Sequence, residues 1–211
     1  MAFFGGDVVS SGEGTGADGP RPRISLLIAV HNRLDLTRAC LASVFAHADP
    51  TIPIEIIVVD DCSTDGTADY LETLGEPVRV LRNSSRGCFG QNMNKAAQAA
   101  RAPHLLLLNN DTEVTPGWLR PLLDAALCDS RIGVVGNRHL YPETGTINHA
   151  GVAFDDHGRP VHLYPDKPAD FPPANVSRDV QAVTGACWLV RARFLKGWAA
   201  SIRSSGMGTR T

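Results

Sequence analysis

LLLLNNDTEV, residues 105–114, is the stretch that best defines the fold. Its four leucines form an apolar run typical of a strand that is buried on both faces. The run ends in Asn109, Asn110 and Asp111, whose polar groups are costly to bury without hydrogen-bond partners. We therefore expect a buried strand that reaches the surface there, either in a simple turn or at a site for a ligand or metal ion.

Strand-like and helix-like segments alternate on both sides of this run. The predicted strands cover residues 24–30, 54–60, 77–83, 104–110 and 132–137, and the predicted helices cover residues 34–48, 66–75, 91–102 and 116–129. This alternation is typical of an α/β fold with a mostly parallel sheet. Beyond it we expect a hairpin at residues 143–145 and, because proline is frequent, an irregular mobile loop over residues 157–174.

Composition narrows the class of protein. A chain of 211 residues with 43% hydrophobic residues suits one globular domain. Lys and Arg number 20 against 22 Asp and Glu, without a sustained basic run, so we expect no nucleic-acid partner. Residues 1–23 have the composition of a flexible leader rather than a signal peptide. The five cysteines show no C-x-x-C spacing, and no stretch approaches the ~18 apolar residues of a membrane span. We expect a cytoplasmic protein with reduced thiols.

Polar residues follow four of the predicted strands. They are His31–Arg33, the run from Asp60 to Thr67, Arg82–Asn83, and Asn109–Asp111. One such end is usually a helix-capping turn, as Ser63 or Asp65 could provide. Four ends at the same edge of a parallel sheet indicate a ligand site, because ligands bind there in such folds.

The phosphate-binding glycine motifs G-x-G-x-x-G and G-x-x-x-x-G-K-[ST] are absent from this edge. Carboxylates dominate instead. They can accept the N–H edge of a base or ribose hydroxyls, and can hold a divalent cation that bridges to a diphosphate. The sequence therefore predicts a nucleotide that is bound through a metal ion.

Six segments in this order resemble the family 2 glycosyltransferases of the GT-A fold, particularly bacterial members that build surface polysaccharides. They are ISLLIAVHNR, EIIVVDDCSTDGT, LRNSSRGCFGQNMNKAAQAA, LLLLNNDTEV, VVGNRHLYPETGTINHAG and VTGACWLVRARFL. The resemblance covers roughly Arg23 to Lys196. It implies a Rossmann-like, mostly parallel sheet flanked by helices, with a nucleotide-binding half (about residues 24–114) and an acceptor-side half (about residues 115–196).

The resemblance also implies an activity. Members transfer a sugar from a nucleotide-diphosphate donor, usually with inversion and usually with Mn²⁺ or Mg²⁺. For this chain it implies a saccharide or lipid-linked acceptor, a role in cell-surface polysaccharide synthesis, and possible peripheral association with the inner face of the membrane. Uridine and thymidine diphosphates are both candidate donors.

Roles carry over by position. Asp60 matches the carboxylate that pairs with the nucleobase imino group, with Asp61 assisting, and Asp111 matches the metal ligand of a degenerate Asp-x-Asp motif. The other positions of the nucleotide-sugar site are Ala29, His31, Asn32, Arg33, Asn83, Gly90, Asn94, Lys95, Asn109 and Asn110. Asn94 and Lys95 could instead form the exposed face of an alanine-rich helix.

The acceptor side of the resemblance rests on His149, Gly185 and Trp188. The indole of Trp188 could stack on a sugar ring, although a tryptophan in an apolar run is more often part of a core.

The resemblance ends after Lys196. There the family continues with a Gly-Gly-Phe-Asp segment and a Glu-Asp pair that supplies the general base. Residues 197–211 contain no Asp or Glu. We expect an incomplete acceptor part, with the general base in the missing segment, and a shifted reading frame after Lys196 could restore that segment. The gene's nucleotide sequence tests this.

Two alternatives remain open at this stage. One is a truncated, catalytically inactive module that binds a nucleotide sugar without turning it over. The other is a nucleotidyltransferase on a related sheet, which would be expected to carry a Gly-rich basic loop after its first strand. The sequence HNRLDLT, residues 31–37, is not such a loop.

Overall fold

The computed structural model describes residues 21–195. Its centre is a six-stranded sheet flanked by helices, with the strand order β3-β2-β1-β4-β10-β5. The main-sheet strands are β1 (Ile24–Val30), β2 (Ile54–Asp60), β3 (Val78–Arg82), β4 (His104–Leu108), β5 (Val134–Gly136) and β10 (Cys187–Arg191). The helices are α1 (Leu34–Ala46), α2 (Thr67–Glu72), α3 (Phe89–Ala99) and α4 (Leu119–Cys128).

Strands β1 to β4 are parallel, and their register places the carboxyl ends of β1, β2 and β3 side by side. Val30 pairs with Asp60, and Asp60 pairs with Arg82. Strand β10 runs antiparallel to both β4 and β5, and Cys187 lies opposite Leu108. Residues 115–195, the predicted acceptor-side half, therefore contribute two strands to the same sheet as residues 24–114, the predicted nucleotide-binding half, which makes the main sheet mixed.

The sheet separates two apolar cores. On one face, Ile56 and Val58 pack in a cluster with residues of α1, α2 and α4; on the other, Ile57 and Val59 pack with Met93 and the alanines of α3. Successive strand residues point to opposite faces, so the inner strands β1, β2 and β4 are buried on both sides, whereas the edge strands β3 and β5 are mostly half-buried or exposed. The four leucines of β4 follow this rule and are all buried, as the opening stretch predicted.

The acceptor-side half also forms two small sheets. Strands β6 (His139–Leu140) and β7 (Ile147–His149) make one hairpin, and strands β8 (Val152–Phe154) and β9 (Pro160–His162) make the other. The first hairpin confirms the turn predicted at residues 143–145, where Gly145 adopts a φ of 67°. Strand β9 of the second hairpin and a 3₁₀ turn at Pro172–Asn175 lie in or at the end of residues 157–174, which composition predicted to be an irregular loop, so part of that stretch is regular.

The fold class predicted from the sequence is confirmed, and most differences lie at element ends. Strands β1 and β2 have the predicted bounds. Strand β4 ends at Leu108 rather than residue 110, so Asn109 and Asn110 lie in the turn beyond it. Helix α3 begins at Phe89, two residues before its predicted start, because the backbone N–H of Cys88 donates to the Gln91 side chain in a capping box.

Two further findings concern the described part of the chain. All five cysteines lie within it and are free thiols. In residues 21–195, each helix is too short or too polar to cross a bilayer.

Candidate functional site

The loops after β1 and β2 form one interlocked wall at the carboxyl edge of the sheet. His31 donates from Nδ1 to the backbone oxygen of Asp61 at 2.8 Å, and its Nε2 lies 3.2 Å from the side-chain nitrogen of Asn32. The Asn32 side-chain oxygen accepts from the backbone N–H of Thr64 at 2.7 Å, while the Asn32 N–H donates to Ser63. Because both nitrogens of the His31 ring are engaged, its flat face is the part left for a ligand.

Asn32 and Arg33 both have positive φ angles, 55° and 56°, and together they turn the chain from β1 into α1. The backbone N–H of Leu34 then donates to Asp65, whose other carboxylate oxygen accepts from Thr67. Asp65 therefore accepts from the first N–H groups of α1 and α2, which agrees with the helix-capping role considered for it. The Arg33 side chain is exposed and pairs with Asp35.

Asp61 is the most heavily engaged carboxylate of the edge. Its Oδ1 accepts from the side chain of Asn83 at 2.7 Å and from the backbone N–H of Gly87 at 2.8 Å, and Arg86 lies 3.2 Å from its Oδ2. Burial opposes ionisation of Asp61, but these hydrogen bonds and the Arg86 charge outweigh it and lower its pKa. Asp61 is therefore an anion held by a preformed set of donors.

Asp60 faces the other way. Its position continues the alternation of Ile56 and Val58, on the face of α1 and α2, whereas Asp61 continues that of Ile57 and Val59, on the face of α3. Asp60 Oδ1 accepts from the N–H of Ser63, and its Oδ2 lies 4.0 Å from Arg82. The two neighbouring carboxylates are thus separated by the sheet, which the sequence alone does not reveal.

A cavity of about 430 Å³ lies between the end of β3 and the start of α3. Its lining is strongly polar: Arg82, Asn83, Ser84, Ser85, Arg86, Gly87, Gln91, Asn92 and Lys95. Three of these residues bind or pair with Asp61, so this carboxylate backs the cavity wall. The cavity can accept a polar ligand that offers hydrogen-bond donors and acceptors together.

The sequence-predicted residues of this segment divide into two groups. Lys95 Nζ donates to the Asn83 side chain at 2.8 Å and to the Arg82 carbonyl oxygen at 2.6 Å, so its charge faces the cavity rather than open solvent. Asn94 and Gly90 are exposed on α3, away from the cavity lining. Ala29 is half-buried and packs in the α3-side core.

Among the cavity residues that sequence reasoning missed, Arg86, Gly87 and Asn92 contact Asp61 or Asn83. Asn92 is 4% exposed and shares the buried face of α3 with Met93 and Ala96; its side-chain oxygen accepts from Asn83. A buried amide on the apolar face of a predicted helix was the available signal, since such a group needs a polar partner. Arg86 and Gly87 lie in an irregular loop, where periodicity gives no signal.

The turn after β4 presents the other candidate carboxylate. Asn109 donates its backbone N–H to Ala186 at 2.8 Å, and the Asn110 side-chain nitrogen lies 3.1 Å from the Thr37 hydroxyl. Asp111 is exposed, and within residues 21–195 no side chain or N–H group bonds or pairs with its carboxylate. The strand ends of β3 and β4 are three strand spacings apart, roughly 14 Å, so Asp111 lies at the opposite end of the edge from the cavity.

The donor set at Asp111 fits Mg²⁺ or Mn²⁺ only in part. Among the residues with described positions, no three His, Cys, Asp or Glu side chains converge on one point. A hard divalent cation can be held by one or two carboxylates together with the phosphate oxygens of its substrate. Asp111 fits that arrangement, in which a diphosphate would supply the remaining ligands.

The three acceptor-side residues occupy different environments. His149 is buried at the end of β7 and touches the rings of His139 and His162. Gly185 is exposed in the segment before β10. Trp188 lies within β10 opposite Leu107 and packs, half-buried, against the α3-side core. His149 and Gly185 therefore both lie at the segment before β10, because the Thr184 N–H donates to the His149 ring. Trp188 packs against the core instead.

Comparison with known proteins identifies relatives. Residues 25–198 match the family model described as glycosyl transferase family 2. The chain is 33% identical over 180 residues to an O-antigen biosynthesis protein, RfbC, of Myxococcus xanthus, covering 81% of this chain and 14% of that protein. It is 32% identical over 181 residues to the uncharacterized protein y4gI of Sinorhizobium fredii, covering 81% of this chain and 19% of that one. The chain thus spans less than a fifth of these relatives.

Solved structures share the fold at low sequence identity. The S. aureus TarS 1-349 structure matches with a TM-score of 0.60 and 19% identity, over 84% of this chain and 49% of that one. The mannosyltransferase PcManGT of Pyrobaculum calidifontis, solved in complex with GDP-Man and Mn²⁺, matches with a TM-score of 0.55 and 17% identity, over 85% and 47%. From the family match, which covers most of its length, this chain belongs to glycosyl transferase family 2 and has the GT-A fold.

Proposed function

We propose that this chain binds a nucleotide-diphosphate sugar along the carboxyl edge of β1 to β4 and transfers the sugar, with inversion, to a saccharide or lipid-linked acceptor. One observation carries the proposal. A buried anionic carboxylate, Asp61, follows β2 and backs a polar cavity, and a free carboxylate, Asp111, follows β4, two strand spacings or roughly 10 Å along the same edge. That separation suits a molecule with a base at one end and a diphosphate at the other.

The base end of the proposed site is built on Asp61, which replaces Asp60 as the residue expected to read the base. The Arg86 guanidinium that pairs with Asp61 Oδ2 is itself more than half exposed, and a base N–H could take its place. Asn83 and Lys95 add a donor network beside it. A pyrimidine imino group offers the matching donor, which supports uridine or thymidine diphosphate as the donor nucleotide.

The diphosphate end is built on Asp111. Asp111 would hold Mn²⁺ or Mg²⁺ together with the two phosphates, and the cation would offset the charge that develops on the departing diphosphate. Since one carboxylate is a weak ligand set by itself, the metal ion is expected to bind tightly only with the nucleotide. The Mn²⁺ in the PcManGT complex supports this choice of cation.

The acceptor is proposed from the relatives. The names of RfbC and of the succinoglycan biosynthesis protein ExoO of Rhizobium meliloti support polysaccharide synthesis. Peripheral association with the inner face of the membrane stays a prediction. Residues 197–211 lie outside the described residues and contain no Asp or Glu, so the general base that must deprotonate the acceptor hydroxyl stays predicted for the family segment that is missing here.

The first experiment separates transfer from binding. Thermal unfolding is recorded with a panel of nucleotide sugars, each with and without Mn²⁺, because a ligand of the native state raises the unfolding temperature by mass action. We expect the largest rise with one uridine or thymidine diphosphate sugar in the presence of Mn²⁺. A donor that binds but is never consumed with any acceptor would instead support the nucleotide-sugar-binding module. No rise with any nucleotide would refute the proposed site.

The second experiment tests which carboxylate reads the base. Asp61→Asn should weaken UDP binding by roughly 30-fold, or about 2 kcal/mol, the size of a hydrogen bond to a charged group. Asp60→Asn is the matched control, since Asp60 lies on the other face of the sheet, and it should leave the affinity nearly unchanged. Calorimetric titration measures both. The opposite ranking would return the role to Asp60.

A further inference from the structure

His149 makes contacts that a ligand-binding histidine would not need. It is 1% exposed. Its Nε2 accepts two backbone hydrogen bonds, from Gly151 at 3.2 Å and from Thr184 at 3.3 Å. These donors lie 33 residues apart in the chain, so one ring nitrogen joins the β7–β8 turn to the segment that leads into β10.

The two bonds fix the protonation of the ring. Because Nε2 is an acceptor, the neutral ring carries its proton on Nδ1, which points to Nδ1 of His162 at 3.3 Å. The same protonation argues against a cation shared by these two rings. A histidine that binds a cation through Nδ1 carries its proton on Nε2, where two N–H donors already lie.

The segment that His149 holds is residues 180–186, here called the strap. Val152 and Ala182 exchange backbone hydrogen bonds, and Val183 packs onto Gly136, where a Cβ would lie 2.5 Å from the Val183 side chain. At its end, the Ala186 carbonyl oxygen accepts from the backbone N–H of Asn109. The strap is thus fixed along its length, and its last contact is on the turn that carries Asp111.

The register of β10 against β4 determines which residues of the β4 turn lie beside the strap. Cys187 is opposite Leu108, and Ala186 bonds with Asn109. An antiparallel pair that continued by one step would bring Gly185 alongside Asn110, the residue before Asp111. Thr184, the residue bonded to His149, lies one step further out. A change at His149 would therefore reach the β4 turn through the backbone of Gly185 and Ala186.

We propose that His149 is a positioning residue, which holds the strap across the Asn109–Asp111 turn and so fixes the Asp111 carboxylate at the diphosphate end of the site. This rests on the proposed function of Asp111. His149 acts through the backbone of residues 184–186 and does not touch the reacting atoms. Its role is to limit the positions that the carboxylate can take when a metal ion and a diphosphate bind together.

The test uses His149→Phe, which keeps a flat ring and removes the acceptor. His162→Phe is the matched control, because it removes the neighbouring ring but leaves both Nε2 contacts intact. His149→Gln is the rescue variant, since its side-chain oxygen can accept a backbone N–H. Two quantities are measured for each protein: hydrogen exchange of the Gly151 and Thr184 amides, and the ratio of UDP affinities with and without Mn²⁺.

In His149→Phe we expect faster exchange at both amides and a loss of Mn²⁺ enhancement of about tenfold, within the range for residues that orient metal ligands. UDP affinity without Mn²⁺ should not change. His162→Phe should behave as wild type, and His149→Gln should recover part of the enhancement.

Two results would overturn the positioning role alone. They are unchanged exchange at both amides in His149→Phe, and faster exchange with the full Mn²⁺ enhancement retained. If His149→Phe does not fold, an enhancement equal to wild type in His149→Gln, with Thr184 exchange accelerated, overturns it equally. Absence of any Mn²⁺ enhancement in wild type would refute the proposed metal site, and the positioning role with it, whatever the exchange results.

Discussion

Strands β1 to β4 pair over four to seven residues, and β1, β2 and β4 are buried on both faces, whereas β6 to β9 are two or three residues long and form two separate hairpins. The nucleotide-binding half draws its order from the apolar clusters on the two faces of the sheet. The acceptor-side half depends more on particular contacts, among them His149 with the strap and Gly136 with Val183. Substitutions should therefore act differently in the two halves.

One buried carboxylate adds to the order of the nucleotide-binding half. In the nucleotide-binding half, Glu55 is 3% exposed and accepts from Ser25, from the backbone of Arg101 and from the guanidinium groups of Arg79 and Arg101. It ties β1, β2 and β3 together at the amino edge, opposite the candidate site. Burial opposes ionisation of Glu55, but these donors outweigh it and hold its pKa below the usual value.

The largest effect is expected at this carboxylate. Glu55→Ala should destabilise the protein by about 4 kcal/mol, because it leaves the buried Ser25 hydroxyl and the part-buried Arg101 N–H without their acceptor and two cations without their anion. Urea unfolding followed by circular dichroism measures this. Asp35→Ala, at an exposed carboxylate paired with Arg33, is the control and should change the unfolding free energy far less, because solvent screens an exposed ion pair. Equal effects would show that the Glu55 network adds little.

The second effect concerns pH and the acceptor-side half. Burial, with the nearby His139 and His162 rings, lowers the pKa of His149 to about 4 from 6.5. The unfolded chain binds the extra proton first, so stability contributed by neutral His149 is complete above pH 6.5 and is lost as the pH falls toward 4. The full loss is on the order of 3 kcal/mol.

Comparing His149→Gln with wild type isolates this contribution. The difference in unfolding free energy between the two proteins should shrink as the pH falls from 6.5 to 4, because only wild type loses the stability of the neutral ring. Denaturant titrations at several pH values follow it. A difference that stays constant over this range would show that His149 does not titrate as a buried neutral ring.

The smallest effect compares one glycine from each half. Gly136→Ala should destabilise the protein by about 1 to 3 kcal/mol, because its Cβ would overlap Val183 and the strap has to shift. Gly90→Ala, in helix α3 with open space around its Cβ position, should stabilise it by about 1 kcal/mol. Thermal unfolding measures both. A stable Gly136→Ala protein would mean that the strap moves freely.

The same pair of halves shows what the sequence could predict. Strands such as β1 and β2 can be predicted without knowing their neighbours in the sheet, because a strand that is buried on both faces is a nearly continuous apolar run. Asn92 was missed although its buried amide was readable. The opposite orientations of Asp60 and Asp61 follow from the strand alternation, which fixes faces only once the sheet is known. The contacts of His149 with Gly151 and Thr184 could not be predicted, since two short hairpins and a strap carry no periodic pattern.

The measurement that tests the central claim most directly is a calorimetric titration of UDP, with and without Mn²⁺, into wild type and Asp111→Asn. The claim is that the nucleotide-binding half joins a base end at Asp61 to a metal and diphosphate end at Asp111. We expect Mn²⁺ to raise UDP affinity in wild type by at least roughly tenfold. This is the smallest factor by which metal affinity typically falls when a residue that supports a metal ligand is removed. In Asp111→Asn that enhancement should disappear, while metal-free UDP binding persists. Equal Mn²⁺ enhancement in both proteins would contradict the account.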